Sequence, residues 1–372
     1  MITHRVRRGG LIASAAIVAL LAPGTVHANG RNDHHGHDDS GTPTLSAPLA
    51  QGLAGPLQIA VGDDGSVYVA QDFAGVLTKI GRKGTKDIAS NPGGEIAGVD
   101  VADGRNVLYT STNPDENGTV VAAALNSLKH GSSSVVADIY NYESTQNPDK
   151  DATYGFESIP PDCAAQWPVD LAGPTSYTGA IDSHPYAVAS AGGKTYVADA
   201  AGNAILEIGR HGRIRTVAVL PPQPSVISAE AVAANHFPEC ITGLTYDFEP
   251  VPTDVEVGRD GMLYVTTLPG GPEDPSLGAR GSVYRVNPWT GSTQQVASGL
   301  LGATNLAIGR HGEIFVSELF ANKVSRIVNG APETVLDLTS PAGLEYANGQ
   351  LYVSYDVFAN GTVATIGFNH DD

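Results

Sequence analysis

Pro252-Thr-Asp-Val-Glu-Val-Gly-Arg-Asp-Gly-Met-Leu-Tyr-Val265 reads as a short alternating strand, an Asp-Gly turn and a second strand ending in an aromatic. Six blocks repeat the second half of this unit: Ser66-Val-Tyr68-Val-Ala, Asn106-Val-Leu-Tyr109-Thr, Lys194-Thr-Tyr196-Val-Ala, Met262-Leu-Tyr264-Val-Thr, Glu313-Ile-Phe315-Val-Ser and Gln350-Leu-Tyr352-Val-Ser. The turns ahead of them are Asp64-Gly65, Asp103-Gly104, Gly192-Gly193, Asp260-Gly261, His311-Gly312 and Asn348-Gly349. Such dipeptides supply the positive φ of a tight hairpin. A third strand follows each aromatic, as in Val283–Val286, and a more variable fourth strand follows that.

Four strands per unit in six copies is the pattern of an all-β, six-bladed β-propeller. One blade cannot bury both of its faces, whereas a ring of blades packs every face on a neighbour. The last unit stops after its third strand, near Phe368. Leu49 to Val61 resembles Val296 to Ile308, which is a fourth strand running into a first. Residues Thr44 to Leu53 are therefore expected to complete the last blade. The repeated aromatic is read first as core and second as a ligand platform.

The ends of the chain carry other signals. Residues 1–28 read as a secretory signal: Arg5, Arg7 and Arg8, then an apolar run from Leu11 to Ala22, then Val26-His27-Ala28. That run is too short to cross a bilayer and no other run is apolar enough, so a secreted, extracellular monomer is expected. Residues 29–43 hold His34, His35, His37, Asp38 and Asp39, and read as a disordered linker or a metal-capturing tail. The propeller is expected over 44–368, with a tail at 369–372. The net charge is −18, and losing three arginines with the signal makes it about −21. So acidic a chain lacks the cationic surface that phosphate backbones require, which argues against nucleic acid.

Two stretches break the repeat, 141–183 and 221–250, and carry few strand signals. Each holds one of the two cysteines, Cys163 and Cys240. In an exported chain this predicts one disulfide, with a loop-closure contribution of roughly 4 kcal/mol at most. Both insertions join one blade to the next. Propeller topology puts such connections on one face with the loops between second and third strands. That face is expected to receive a small molecule, glycan or peptide.

Innermost strands carry Gln58, Asp100, Asp254, Glu256, Asn305 and Glu345. The four acids suit calcium, which takes oxygen ligands, or else line a merely polar tunnel. Catalytic candidates are His184, Glu249, Asp199 and Glu318. Ligand-binding candidates are Tyr186, Asn305 and Arg280. No Gly-x-Ser-x-Gly or His-Glu-x-x-His run is present. A binding module and a calcium-assisted hydrolase or lyase both remain open.

Ser183-His-Pro-Tyr-Ala, Tyr196-Val-Ala-Asp-Ala-Ala-Gly-Asn203, Val251-Pro-Thr-Asp-Val-Glu-Val-Gly-Arg-Asp-Gly, Leu268-Pro-Gly-Gly and Gly278-Ala-Arg-Gly-Ser-Val-Tyr-Arg resemble the ScyD/ScyE family. The resemblance runs from about Leu45 to Phe368. It implies an NHL-type propeller and an association with scytonemin biosynthesis. It implies no catalytic residue set. This chain has Ser-His-Pro-Tyr where Ser-Asn-Pro-Tyr is expected in many members, and it adds the cysteine-bearing insertions.

Overall fold

The computed structural model describes residues 42–102, 106–272 and 275–368. The signal segment, nearly all of the linker, the Asp103-Gly104 turn and the tail lie outside the described residues. Seven antiparallel sheets are found among those described. Six share one plan of four strands from the inside outward, in sequence order in five of them, while the sixth takes its outer strand from the start of the described chain. The fourth of these ring sheets, Pro252–Val257, Leu263–Thr267, Gly281–Val286 and Thr293–Leu300, stands for the rest. The first strands, Pro56–Val61, Glu95–Ala102, Pro185–Ala191, Pro252–Val257, Ala303–Ile308 and Leu344–Ala347, touch one another in a closed cycle. This is the β-propeller arrangement.

Apolar clusters fill each gap between consecutive ring sheets. Middle strands are therefore buried on both faces: every residue of Val67–Gln71 is buried. Outer strands are polar and exposed, as in Gly84–Ser90, which protects the free edge from pairing with other chains. Leu263 shows the scale. It is fully buried between the third and fourth ring sheets, and truncation to alanine would cost about 2–5 kcal/mol.

Three of the inner turns are wider than a two-residue hairpin. In Gly258-Arg259-Asp260-Gly261-Met262 the Gly258 amide donates to the Met262 carbonyl at 2.8 Å, and Gly261 takes φ +72. Gly62 to Ser66 and Gly309 to Glu313 repeat this closure. The leading glycine makes room for the repeat aromatic: a Cβ on Gly258 would stand 2.5 Å from the Tyr264 ring. Asn348-Gly349 and Gly192-Gly193 do carry positive φ at both residues.

One aromatic of the repeat is out of register. Asp100 pairs with Leu108, as Ala60 pairs with Tyr68 and Ala189 with Tyr196. Leu108 therefore holds the repeat position and packs toward the third ring sheet. Tyr109 faces back to the first.

The last ring sheet borrows its outer strand from the start of the propeller. Pro43–Leu45 and Ala50–Leu53 both pair antiparallel with Gly361–Phe368.

The two insertions are not irregular. They build the seventh sheet, in the order Ser176–Thr178, Thr153–Phe156, Thr245–Phe248, Gln223–Val226. Its strands are three or four residues long. Its central pairing joins Gly155 to Asp247, far apart in the chain, so no local hairpin pattern announces it. Cys163 and Cys240 form a disulfide that ties the two segments together across 77 residues. The core of this module is aromatic: Phe156 meets Trp167 and Tyr246 edge-on at 5.0 and 4.9 Å, and Trp167 stacks on Phe237 at 5.0 Å.

Candidate functional site

The ring closes around a plugged axis. Gln58 reaches across it, donating from Nε2 to the Thr253 carbonyl at 3.2 Å, and its Oε1 accepts from Asn305 Nδ2 at 2.6 Å. Asn305 Oδ1 accepts from the Leu344 amide at 2.8 Å, and Asp254 Oδ2 from the Leu306 amide at 2.8 Å. All three side chains are buried. Asn305, expected at a ligand, is thus a rivet between neighbouring sheets. Burial pushes the Asp254 carboxyl well above its usual range.

Two residues further along the strands lie Asp100, Glu256 and Glu345. They come from alternate ring sheets, with Ala60, Ala189 and Ala307 at the same level between them. All three are half-buried. Burial first, then their mutual charge, raises Glu256 and Glu345, and burial raises Asp100, whose Oδ2 accepts from Ser190 Oγ. First strands run from the insertion-bearing face toward the glycine turns. This acidic level therefore opens on the short-turn face, and the plug separates it from the insertions. Among the described residues, no three His, Cys, Asp or Glu side chains stand together as a ready metal site.

The insertion-bearing mouth is closed by apolar residues. Leu57, Ala97, Tyr186, Ala200, Leu319, Ala342 and Val357 form one buried cluster there. Tyr186, expected at a ligand, belongs to that seal and meets the His184 ring edge-on at 5.7 Å. At its rim His184 Nε2 lies 2.7 Å from Glu95 Oε2. Burial alone would lower the His184 pKa. The hydrogen bond and charge of Glu95, with the charges of Asp72 and Asp199, lift it instead to about 9. His184 is thus an imidazolium at neutral pH and not a free base. Asp72 lies in the same group. It is 4 % exposed, is raised by burial and by Glu95, and has an Oδ1 without a hydrogen-bond partner. Glu95 and Asp72 were missed in the sequence because neither stands at a repeated polar position.

Asp199 and Glu318 end equivalent second strands. Asp199 accepts from Ser183 Oγ and the His184 amide, each at 2.7 Å, and from the Gly202 amide at 3.2 Å. Glu318 accepts from the Leu301 amide at 2.8 Å and Ser325 Oγ at 2.5 Å, with Lys323 Nζ at 3.3 Å. Gln71 plays the same part in the first ring sheet, bonding the Ala54 amide and Thr78. These side chains hold backbone in place, so their oxygens are already engaged.

Glu249 and Arg280 border the insertion module. Glu249 Oε1 accepts from Tyr177 OH at 3.1 Å, and burial leads the causes that raise the carboxyl to about 7. Arg280 donates to the carbonyls of Gly270 and Pro269 at 2.9 and 3.3 Å, and lies 4.5 Å from the centre of the Phe248 ring. Beside that ring is a cavity of about 230 Å³, whose walls include Trp167, Ile227, Phe237, Tyr246, Phe248 and Leu277. Both insertions and the 268–280 loop contribute to it.

No protein-family model matches this chain, and no curated protein matches it in sequence. Solved structures match in fold. A PQQ-bound aldose sugar dehydrogenase from Streptomyces coelicolor shares 11 % identity over 89 % of this chain and 99 % of its own, with a TM-score of 0.55. A putative oxidoreductase (glucose dehydrogenase) from Thermus thermophilus shares 15 % over 87 % of this chain and 100 % of its own, at 0.53. A gluconolactonase from Xanthomonas campestris shares 10 % over 86 % of this chain and 88 % of its own, at 0.51. At such identities the likeness concerns the propeller fold alone.

Proposed function

We propose that the chain is an exported six-bladed propeller of the ScyD/ScyE type, closed by the Pro43–Leu53 segment. It acts as a binding module whose ligand enters the inserted sheet. The observation that carries this reading is the cavity of about 230 Å³ in the disulfide-braced module. A dry cavity of about 150 Å³ already holds benzene, so this one suits a mostly apolar molecule of one or two fused rings. Four aromatic side chains present faces and edges to such a ring, and Arg280 at the Phe248 face offers a cation to a polar substituent.

The protein carries a reporter for the test. Trp167 lines the cavity, and the other tryptophan, Trp289, is exposed. In a Trp289→Phe background, 1-naphthol should quench Trp167 fluorescence to saturation. Ala231→Phe, which fills the cavity, should abolish that quenching while leaving the melting temperature near that of the parent. Quenching that survives Ala231→Phe, or that never saturates, overturns the reading. Capture of an extended peptide in place of a ring compound would also count against it.

A second reading rests on the acidic level of Asp100, Glu256 and Glu345, with Asp254 beside it. Oxygen-only groups of this charge suit calcium, and calcium there would serve a hydrolase or lyase acting from the short-turn face. Melting with calcium and with chelator tests it. A calcium-dependent rise that Asp254→Asn and Glu256→Gln both remove supports it, and no rise sinks it.

A further inference from the structure

The helix Ile139–Gln146 ends in a turn that buries three oxygens without donors. Asn147 caps the helix in the left-handed conformation, and its amide donates to the Glu143 carbonyl at 2.8 Å. The chain then turns tightly through Pro148 to Asp149. Glu143 and Asp149 are each 1 % exposed. Glu143 Oε1, Asn147 Oδ1 and Asp149 Oδ1 are buried and accept no hydrogen bond.

The partner atoms of two of these groups are fixed. Asn147 Nδ2 donates to the Gly179 carbonyl at 3.1 Å, which leaves its oxygen as the free end. Asp149 Oδ2 accepts from Asn203 Nδ2 at 2.9 Å and from Tyr154 OH at 3.1 Å. Each of these two oxygens is thus held by a second contact, as ligands are held around an ion. Glycines crowd the group. A Cβ on Gly179 would stand 2.1 Å from Asp149 Oδ1, and one on Gly202 would stand 3.2 Å from Glu143 Oε2.

The charge is mostly negative. Glu143 lies in the field of Asp149, Asp199 and Asp182, and Glu249 in that of Asp149 and Asp182. Among the described residues no Lys or Arg pairs with any of these five acids, and the nearby His184 acts on Asp182 and Asp199. Burying carboxylate oxygens without a donor is costly. Glu143 Oε1, Asn147 Oδ1 and Asp149 Oδ1 all lack a partner. A small hard cation reached by all three would supply one.

We infer that Glu143, Asn147 and Asp149 form a calcium site that locks the first insertion onto the ring. Two carboxylates and one amide oxygen supply a charge of −2 and an all-oxygen ligand set, with water to complete the shell. This site is separate from the acidic level on the axis and from the apolar cavity, so it can fail without either of them failing.

Terbium, which replaces calcium in oxygen sites, is the probe. Tyr154 donates its hydroxyl to Asp149, so it stands close enough to sensitise a bound lanthanide. The full mature chain, freed of metal by chelation, should give tyrosine-sensitised terbium luminescence that calcium competes away. Asp149→Asn should weaken binding by about tenfold or more. Glu333→Gln, on the exposed outer strand Ala331–Asp337, should leave that luminescence unchanged, and Glu256→Gln reads any share that comes from the axis. In chelator, Glu143→Gln should melt higher than the parent, because it removes a carboxyl that is costly to bury without a partner. Loss of the luminescence in Glu256→Gln with retention in Asp149→Asn moves the ion to the axis and overturns the inference. So does the absence of luminescence in the parent chain. Should Asp149→Asn fail to fold, Asn147→Ala serves, with the same expected loss.

Discussion

The ring and the inserted module treat polar side chains in opposite ways. In the ring, a side chain at the end of the second strand holds a loop amide and a hydroxyl of the third strand: Gln71 takes Ala54 and Thr78, and Glu318 takes Leu301 and Ser325. The pattern recurs because each blade meets the same backbone problem. In the module, Glu143, Asn147 and Asp149 keep free oxygens. The bare side-chain atoms of the ring are mainly hydroxyls, those of Thr112, Thr267 and Ser317, with Asp72 at the mouth as the acidic exception. Repetition commits polar groups to the scaffold, and interruption leaves them available for ligands.

The largest expected effect breaks the ring itself. Deleting Pro43–Leu53 strips both pairings from Gly361–Phe368 and leaves that strand as a bare edge. Total stabilities of about 5–15 kcal/mol leave little margin for such a loss. The truncated protein should lose its cooperative melting transition. A transition unchanged in position would show that the ring closes some other way.

Next comes a change confined to the module. Reducing Cys163–Cys240, or replacing both with serine, removes a constraint across 77 residues, worth roughly 4 kcal/mol at most by loop entropy. Amide exchange should speed up in Thr153–Phe156 and Thr245–Phe248 and stay slow in Leu263–Thr267. Equal acceleration in both places would mean that module and ring unfold as one unit, and the contrast would fall.

Glu318→Ala should cost about 2–4 kcal/mol, because the Leu301 amide and the Ser325 hydroxyl lose their acceptor in a buried place. Denaturant unfolding measures it. A change below about 0.5 kcal/mol, what an exposed substitution gives, would return Glu318 to the candidates for chemistry.

The fold was legible because its determinants are local and repeated. A glycine turn, an aromatic such as Tyr264 and an alternating strand recur at each blade. Tyr109 misled because a neighbouring apolar residue, Leu108, fills the repeat position, and one residue of slip reverses the face. The seventh sheet was illegible since its three- and four-residue strands pair across the chain, through contacts such as Phe156 with Tyr246. The candidate site is legible in the sequence only as residue types. Type singles out His184 and Glu249 as candidates, but it cannot reveal that Asp199 is fully engaged by donors while Glu143 has one bare oxygen. That difference lies in hydrogen-bond partners, which only the folded chain assigns.

The smallest effect sharpens the contrast through pH. His184 belongs to the ring, and Glu95 and its acidic neighbours raise it to about 9, above the ~6.5 of an unfolded chain. The folded state therefore binds the extra proton. The stability this contributes is complete below about pH 6.5 and is lost as pH climbs to about 9. Glu143 belongs to the module and is raised to about 8, mainly by burial. It too favours folding when protonated, and stability falls between the unfolded carboxyl value near ~4.3 and about 8. Both slopes descend, but over different windows and with different responses to metal. His184→Gln should flatten the curve above about pH 8 by about 1–2 kcal/mol, with or without calcium. Glu143→Gln should flatten it below about pH 8 in chelator, and calcium at the proposed site would remove that effect by holding the carboxylate ionised. Urea midpoints measured from about pH 5 to about pH 9 separate the two. A parent stability that rises across that range, or a His184→Gln protein that keeps the full slope at the alkaline end, would remove the imidazolium from the mouth of the ring.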